Sequence, residues 1–470
     1  MNLRETLLSD SQYRGDFNNL PIEDSDEEFL EYQIGQEALL DIEVESREID
    51  RLMGIAVGLE DLGKVCGFVK DASNVELALI ESATTLALAG TGVKTEEILP
   101  SLESYRGTEV STESIVKFTL NIWKSVLKLQ RRIWKSTVRF YNSTFKSIPK
   151  LRKSVENLKI RAEGVKEKSL KEGKIDLGNA TGTLSRDYTA MKSADELKDN
   201  LEFYNSFTTS LLGEYTTMAA ERGDVISKNL KEDIFERSDK IVELAKLMML
   251  PKNPLKNAID RSPMKLSSSD LSRDERFNSD EQYRSPIGLS IYQSKYFITD
   301  DTTVRDIDSF LKENDYGKLE EVEKTKVAIE ALECANRNKT EIVMAYSSAK
   351  KPKLPKKESV DPITYSDVEA IADHILMICD YVELNSSSDK VKELENISNS
   401  IEDSCKKLAN GMSKQDTKSG SLASVWRLVA NVNVAWLNMV TKPQSQWTNH
   451  VFAVSRATIG VCSKSLSLYE

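Results

Sequence analysis

Between Thr112 and Ile148 the apolar residues recur at helical spacing on two sides of one helix. One flank carries Val116, Leu120, Trp123, Leu127, Trp134, Val138, Tyr141 and Phe145, at intervals of three, four and seven. The other carries Phe118, Ile122, Val126, Leu129, Ile133 and Phe140. What is left between them is basic. Lys117, Lys124 and Arg131 are seven apart, as are Lys128 and Lys135, and Arg132, Arg139 and Lys146. At 100° per residue these eight cations fall within an arc of about 100°. The pattern predicts one long helix over 112–148, roughly 55 Å in length. Its two apolar flanks pack against neighbours, and its narrow cationic stripe faces outward.

The same reading along the chain predicts helices almost throughout. Leu39, Ile42, Ile49, Leu52, Ile55, Leu59, Leu62 and Val65, then 75–88, give two or three acidic helices, stopped at Gly90-Thr91-Gly92. Pro149 predicts a kink or break, followed by a second basic helix over 150–171 and a Gly-rich loop over 173–182. Ser193 caps the next helix; 194–220 and 232–250 are amphipathic, and Pro251 and Pro254 end them. Residues 287–298, with Leu289, Ile291, Tyr292, Tyr296, Phe297 and Ile298, carry the one β signal. Helices follow over 304–314 and 320–346. A capping box at Ser366 and Glu369 opens another through Tyr381. The last two span 422–441 and 444–468, with Pro443 at the first turn of the second. The predicted class is mainly α: an elongated multi-helix bundle around a long central basic helix, with at most a small β-hairpin near 287–300.

The expected organisation is an acidic helical segment over 1–113, a candidate propeptide, then a helical region over 114–260 that holds the basic helix. A Ser-, Asp- and Arg-rich linker follows over 261–286, then a small mixed α/β segment over 287–348. A basic Pro-rich linker over 349–363 leads to a C-terminal helical region over 364–470. Composition agrees with the class, since 30% of residues are charged, 7% are aromatic, and Gly and Pro are scarce.

Charge changes the picture more than composition does. The net charge of −11 conceals a division, because residues 1–113 hold 8 Lys and Arg against 25 Asp and Glu, and the remainder 56 against 50. The first part is therefore −17 and the rest +6. Between Glu113 and Glu156 there are 42 residues without an acid and with eleven bases.

Catalytic chemistry has no support in the pattern. The five cysteines, Cys66, Cys334, Cys379, Cys405 and Cys462, are far apart and form no Cys-x-x-Cys pair, which argues for reduced, buried thiols. His374 and His450 fall in separate predicted helices and read as structural. There is no Gly-Lys-Ser/Thr phosphate loop, no His-Glu-x-x-His and no Gly-x-Ser-x-Gly. The acids at 300–308 lack the spacing and glycine of a calcium loop. No enzyme, cofactor, metal site or small-molecule substrate is expected. No run of 18 apolar residues occurs, and the N-terminus lacks the basic start of a secretory signal.

A polyanion is the ligand that Lys117, Lys124, Lys128, Arg131, Arg132, Lys135, Arg139 and Lys146 are suited to. Three partners fit the stripe. It can face water or the chain's own acidic N-terminal segment; it can bind nucleic-acid phosphates without reading bases; or, with Trp and Tyr beside the cations, it can lie on an anionic membrane as a peripheral scaffold.

The run Pro100-Ser101-Leu102-Glu103-Ser104-Tyr105 with Gly107, then Ser111-Thr112-Glu113 ahead of Ile122-Trp123 and Ile133-Trp134, resembles the internal head proteins of giant tailed bacteriophages. Arg456-Ala457 and Lys464-Ser465-Leu466 through Tyr469 are similar to that family's closing helix. The resemblance implies a non-enzymatic virion protein, made in the host cytoplasm and packaged inside the head. Its implied partners are DNA, other virion proteins or further copies of itself. It also implies trimming by a prohead protease after a small residue, any residue and Glu. Glu103 and Glu113 end such triplets, as do Ser25-Asp26-Glu27 and Ser46-Arg47-Glu48.

Overall fold

The computed structural model describes residues 41–56, 58, 112–178, 180–186, 189–231, 234, 237–248, 282–284, 289–293, 297–299, 302–304, 307–337, 340–344, 358–412 and 421–470. In the long helices that begin at Thr112 and Ser421, side chains are described from Leu127 and Val432 onward. The predicted helix end at 88–92, most of the 261–286 linker and the basic Pro-rich run at 350–357 lie outside the described residues.

In chain order the helices are α1 (41–56), α2 (Thr112–Gly164), α3 (Ala180–Thr183), α4 (Ala194–Thr208), a π-helical stretch (Thr209–Tyr215), α5 (Thr216–Asn229) and α6 (Ser238–Met248). Then come α7 (Ile307–Glu313), α8 (Glu321–Arg337), α9 (Tyr365–Asn385), α10 (Ser388–Met412) and α11 (Ser421–Leu466). The fold is mainly α, as the periodicity predicts. Two helices dominate: α2 with 53 residues, about 80 Å at the usual rise, and α11 with 46. They pack on each other, α9 lies along α2, α4 along α9, and α10 along α5. A single core of buried side chains runs from Ile42 to Leu466.

Both long helices contain a proline that the sequence reads as a boundary. Pro149 sits on the exposed face of α2, where it breaks no apolar contact, and the helix runs on to Gly164. The buried row Ile148, Leu151, Val155, Leu158 and Ala162 continues the core face straight past it. Pro443 lies inside α11, so the two helices expected over 422–468 are one. A proline there removes the donor to the carbonyl four residues back. Gln444 replaces it, donating from Nε2 to the Met439 carbonyl at 3.0 Å.

Three other boundaries differ from expectation. The cap of α9 is Thr364, whose Oγ1 accepts the Asp367 N–H, so the helix opens before the Ser366–Glu369 pair. Residues 340–344 form a strand where the periodicity predicts a continuing helix, because Ile342 and Val343 fit a pleated ladder and find a partner far back in the chain. Val304 ends a strand and the helix starts at Ile307. By contrast Ser193 caps α4 as expected, accepting from Glu196 N at 3.2 Å, while Glu196 Oε2 accepts from Lys192 N.

The β signal falls on β5 (Leu289–Gln293) and β6 (Phe297–Thr299), which do not pair with each other. β5 lies between β4 (Gln282–Arg284) and β8 (Thr340–Met344), antiparallel to both, and β6 pairs with β7 (Thr302–Val304). Two short pairs complete the set, β1 (Ile175–Asp176) with β9 (Ser359–Val360) and β2 (Ser185–Arg186) with β3 (Thr189–Ala190).

The second half of α2 and the residues just beyond it are fixed to α9 by ion pairs that run antiparallel. Arg152 meets Asp380 and Glu383, Lys159 meets Asp373 at 2.7 Å, and Lys166 meets Glu369 at 3.2 Å. The last residues fasten the same end. Ser169 and Glu470 exchange two backbone hydrogen bonds of 3.0 Å, and Tyr469 Oη accepts the Tyr365 N–H. One close approach locks α5 against α11. A Cβ on Gly223 would stand 2.3 Å from the Trp436 indole nitrogen, which donates to the Ala219 carbonyl at 2.8 Å.

A candidate polyanion-binding face

The cationic stripe stands out because its helix is gripped on either side. Leu129, Ile133, Phe140 and Ile148 are buried to 1% exposure or less, and Trp134 and Tyr141 are buried on the opposite flank. Among the described flank residues, Val138 is part-buried and Phe145 is 47% exposed. Lys128, Arg131, Arg132, Lys135, Arg139 and Lys146 all occupy exposed positions. Lys117 and Lys124 belong to α2, though their side chains lie outside the described residues. With the helix rigidly held, the cations project from one surface at repeats of about 10 Å.

The stripe is bounded by carboxylates that sequence reading does not find. At one edge Arg131 donates from Nε to Glu402 Oε1 on α10 at 2.8 Å, and Lys406 reaches the same oxygen at 2.7 Å. Glu402 is 7% exposed. Burial works to raise its carboxyl pKa, but the hydrogen bonds from Arg131 and Lys406 outweigh it and hold the group below the ordinary carboxylate value. At the other edge Arg139 donates from Nε to Glu45 Oε1 at 2.8 Å. Among the described residues, Arg132, Lys135 and Lys146 form no ion pair.

Glu45 belongs to α1, part of the acidic N-terminal segment. This helix carries Asp41, Glu43, Glu45, Glu48 and Asp50 against Arg47 and Arg51. It is seated by an apolar ridge of Ile42, Ile49, Leu52, Met53 and Ala56, each no more than 3% exposed. Asp50 accepts two bonds from Gln446 Nε2, at 3.0 and 2.9 Å, which ties α1 to α11. Burial nonetheless pushes the Asp50 carboxyl above its ordinary pKa. The Glu48 pKa is lowered, chiefly by its hydrogen bonds from Arg51 at 2.8 and 2.7 Å and also by the charges of Arg139 and Arg132. The acidic segment thus touches the stripe through one named helix.

Of the candidate processing residues, Glu113 lies in the first turn of α2 and Glu103 lies outside the described residues. The triplet Ser46-Arg47-Glu48 is inside α1 with Ser46 4% exposed, a poor conformation for a protease that needs an extended strand.

Among the described residues, His450 and four cysteines are buried in the fold. His450 is buried against Tyr204 and Trp447, its Nε2 3.3 Å from Tyr204 Oη, and burial pushes its pKa down to about 4. His374 Nδ1 is 3.2 Å from Asn205 Nδ2. Cys334, Cys379, Cys405 and Cys462 are buried free thiols. Among the described residues, no group of three metal-ligating side chains is assembled and no helix is long and apolar enough to cross a membrane.

The fold and the site define a mainly helical protein that carries a braced cationic helix on its surface. Residues 24–245, which span α1, all of α2 and on through most of α6, match the family described as phiKZ-like phage internal head proteins. The match covers just under half of the chain and supports an internal head protein of phiKZ-like giant phages, located inside the phage head. No curated protein and no solved structure matches it.

Proposed function

We propose that this internal head protein associates with the packaged DNA through the exposed face of α2, in a role that is structural and not catalytic. The observation that carries the reading is the placement of the cations. Six of them sit on exposed positions of one helix whose flanks are packed, so the charges are ordered in advance and binding loses little conformational freedom. Such a row neutralises phosphates and releases counterions, giving affinity without sequence preference. The burial of Trp134 and Tyr141 favours DNA over an anionic bilayer, because the aromatic side chains that would enter a headgroup layer are used in the core. Contacts with neighbouring head proteins through the same face are compatible with this role.

Processing after Glu103 or Glu113 would convert a chain of −11 into one of about +6 in the second case, and so strengthen the attraction to DNA. The first residue of the chain recovered from purified particles tests this. Cleavage after Glu103 leaves Ser104 at the terminus, and cleavage after Glu113 leaves Ser114. An intact Met1 rules processing out.

The binding proposal is tested by offering the purified chain duplex DNA of arbitrary sequence and, separately, anionic lipid vesicles. Retention on DNA, with vesicles floating free of protein, is the expected result. Flotation with the vesicles and no DNA binding contradicts it.

A further inference from the structure

We infer that α1 is a built-in competitor for the cationic face, an acidic helix that lies where phosphates would lie and must be displaced before the face is fully open. The inference rests on the DNA reading above and concerns the regulation of that same surface.

The two carboxylate edges of the stripe are not equivalent. Glu402 belongs to α10, is almost fully buried, and is held by both Arg131 and Lys406, so it forms a permanent part of the body. Glu45 is held by a single guanidinium nitrogen, Arg139 Nε. Its second oxygen, Oε2, is buried with no hydrogen-bond partner among the described residues. A buried carboxylate oxygen without a partner carries an unrecovered desolvation cost. Arg139 Nη2 is spent on Ser136 Oγ at 2.9 Å, so the pair is not the two-pronged Arg–carboxylate fork. A phosphate could take both prongs.

What holds α1 down is therefore mainly its apolar ridge and the Asp50–Gln446 bonds, while its charges do the blocking. Glu45 neutralises Arg139 directly. Glu48, engaged with Arg51, still places negative charge near Arg139 and Arg132. A helix anchored by apolar contacts and blocking by charge remains seated at high salt, and its blocking charges can be removed without removing the anchor.

The test uses the full chain and the double variant Glu45→Gln with Glu48→Gln. Both are titrated with labelled duplex DNA over a range of salt, and hydrogen exchange is followed across 41–56 with and without DNA. The expected result is that the variant binds at least about tenfold more tightly at low salt, with a log–log salt slope steeper by about 2, from two phosphates gained. On the wild-type chain, DNA should strip protection from 41–56 and leave 444–466 protected. If the wild type binds DNA but the variant matches it in affinity and slope, α1 is not a competitor, and the DNA reading stands without it. If neither chain binds DNA, both the reading and the competitor are overturned. Melting of the variant within a few degrees of wild type shows that the changes come from charge and not from loss of α1.

Discussion

Arg139 donates to Glu45 across 94 residues of chain, and Arg131 donates to Glu402 across 271. The two pairs sit at opposite edges of the stripe; among the described residues Arg131 and Arg139 are committed to the fold, while Arg132, Lys135 and Lys146 form no ion pair. Changing Arg132, Lys135 and Lys146 to Gln should weaken DNA binding and leave stability within about 0.5 kcal/mol of wild type. Changing Arg131 to Gln should instead lower the unfolding free energy by about 1–2 kcal/mol, since it takes a charged donor from a nearly buried carboxylate that keeps only Lys406. Urea unfolding of the two variants separates these effects. Equal stability losses would mean that the stripe is uniformly built into internal pairs.

At Gly223, side chains of α10 and α11 stand directly against the backbone of α5. A Cβ there would lie 2.3 Å from Trp436 Nε1 and 2.5 Å from Ile397 Cγ2, and the indole cannot withdraw without breaking its bond to the Ala219 carbonyl. Gly223→Ala should destabilise the fold by about 3 kcal/mol, the upper range of overpacking. Gly213, where an added Cβ would meet nothing within 4 Å, should accept Ala with a far smaller change. Thermal melts of the pair check this, and equal shifts would refute the close approach.

His450 gives the fold a specific sensitivity to acid. Its folded pKa of about 4 is below the ordinary imidazole value of 6.5, because burial among Tyr204, Trp447 and their neighbours penalises the charged ring. The unfolded chain takes up a proton below about pH 6.5 and the folded chain does not. Stability is therefore complete above that pH and falls progressively toward pH 4, by about 3 kcal/mol in all. Unfolding free energies measured between pH 7 and 4.5 should show this decline, and His450→Gln should flatten it. A variant with the same slope as wild type would assign the effect elsewhere.

Much of this architecture is legible in local sequence, and the failures share a cause. The phasing of Leu129, Ile133 and Phe140 against Lys128, Lys135 and Lys146 correctly separates the buried face of α2 from the exposed one, because a helix reports its faces every few residues. Ser193 announces a helix start for the same reason. Pro149 and Pro443 mislead because what rescues each is tertiary or unusual: an exposed setting in one case and the Gln444 side chain on the Met439 carbonyl in the other. Thr340–Met344 becomes a strand only because β5 is there to pair with it. The site follows the same division. The cations are visible as a stripe, but Glu45 and Glu402, which decide how many of them are available, meet it from distant parts of the chain and leave no local trace.

If the exposed face of α2 holds DNA by its phosphates, affinity must fall steeply as salt rises, and the decisive quantity is the slope of that fall. Of the eight stripe cations, Arg131 and Arg139 are engaged by Glu402 and Glu45. Contacts from four to six of the others give a log–log slope of affinity against salt of about −4 to −5 on duplex DNA. A slope in that range is expected, made shallower when Arg132, Lys135 and Lys146 are replaced by Gln. A slope near zero, or one that those replacements leave unchanged, contradicts DNA binding by this face.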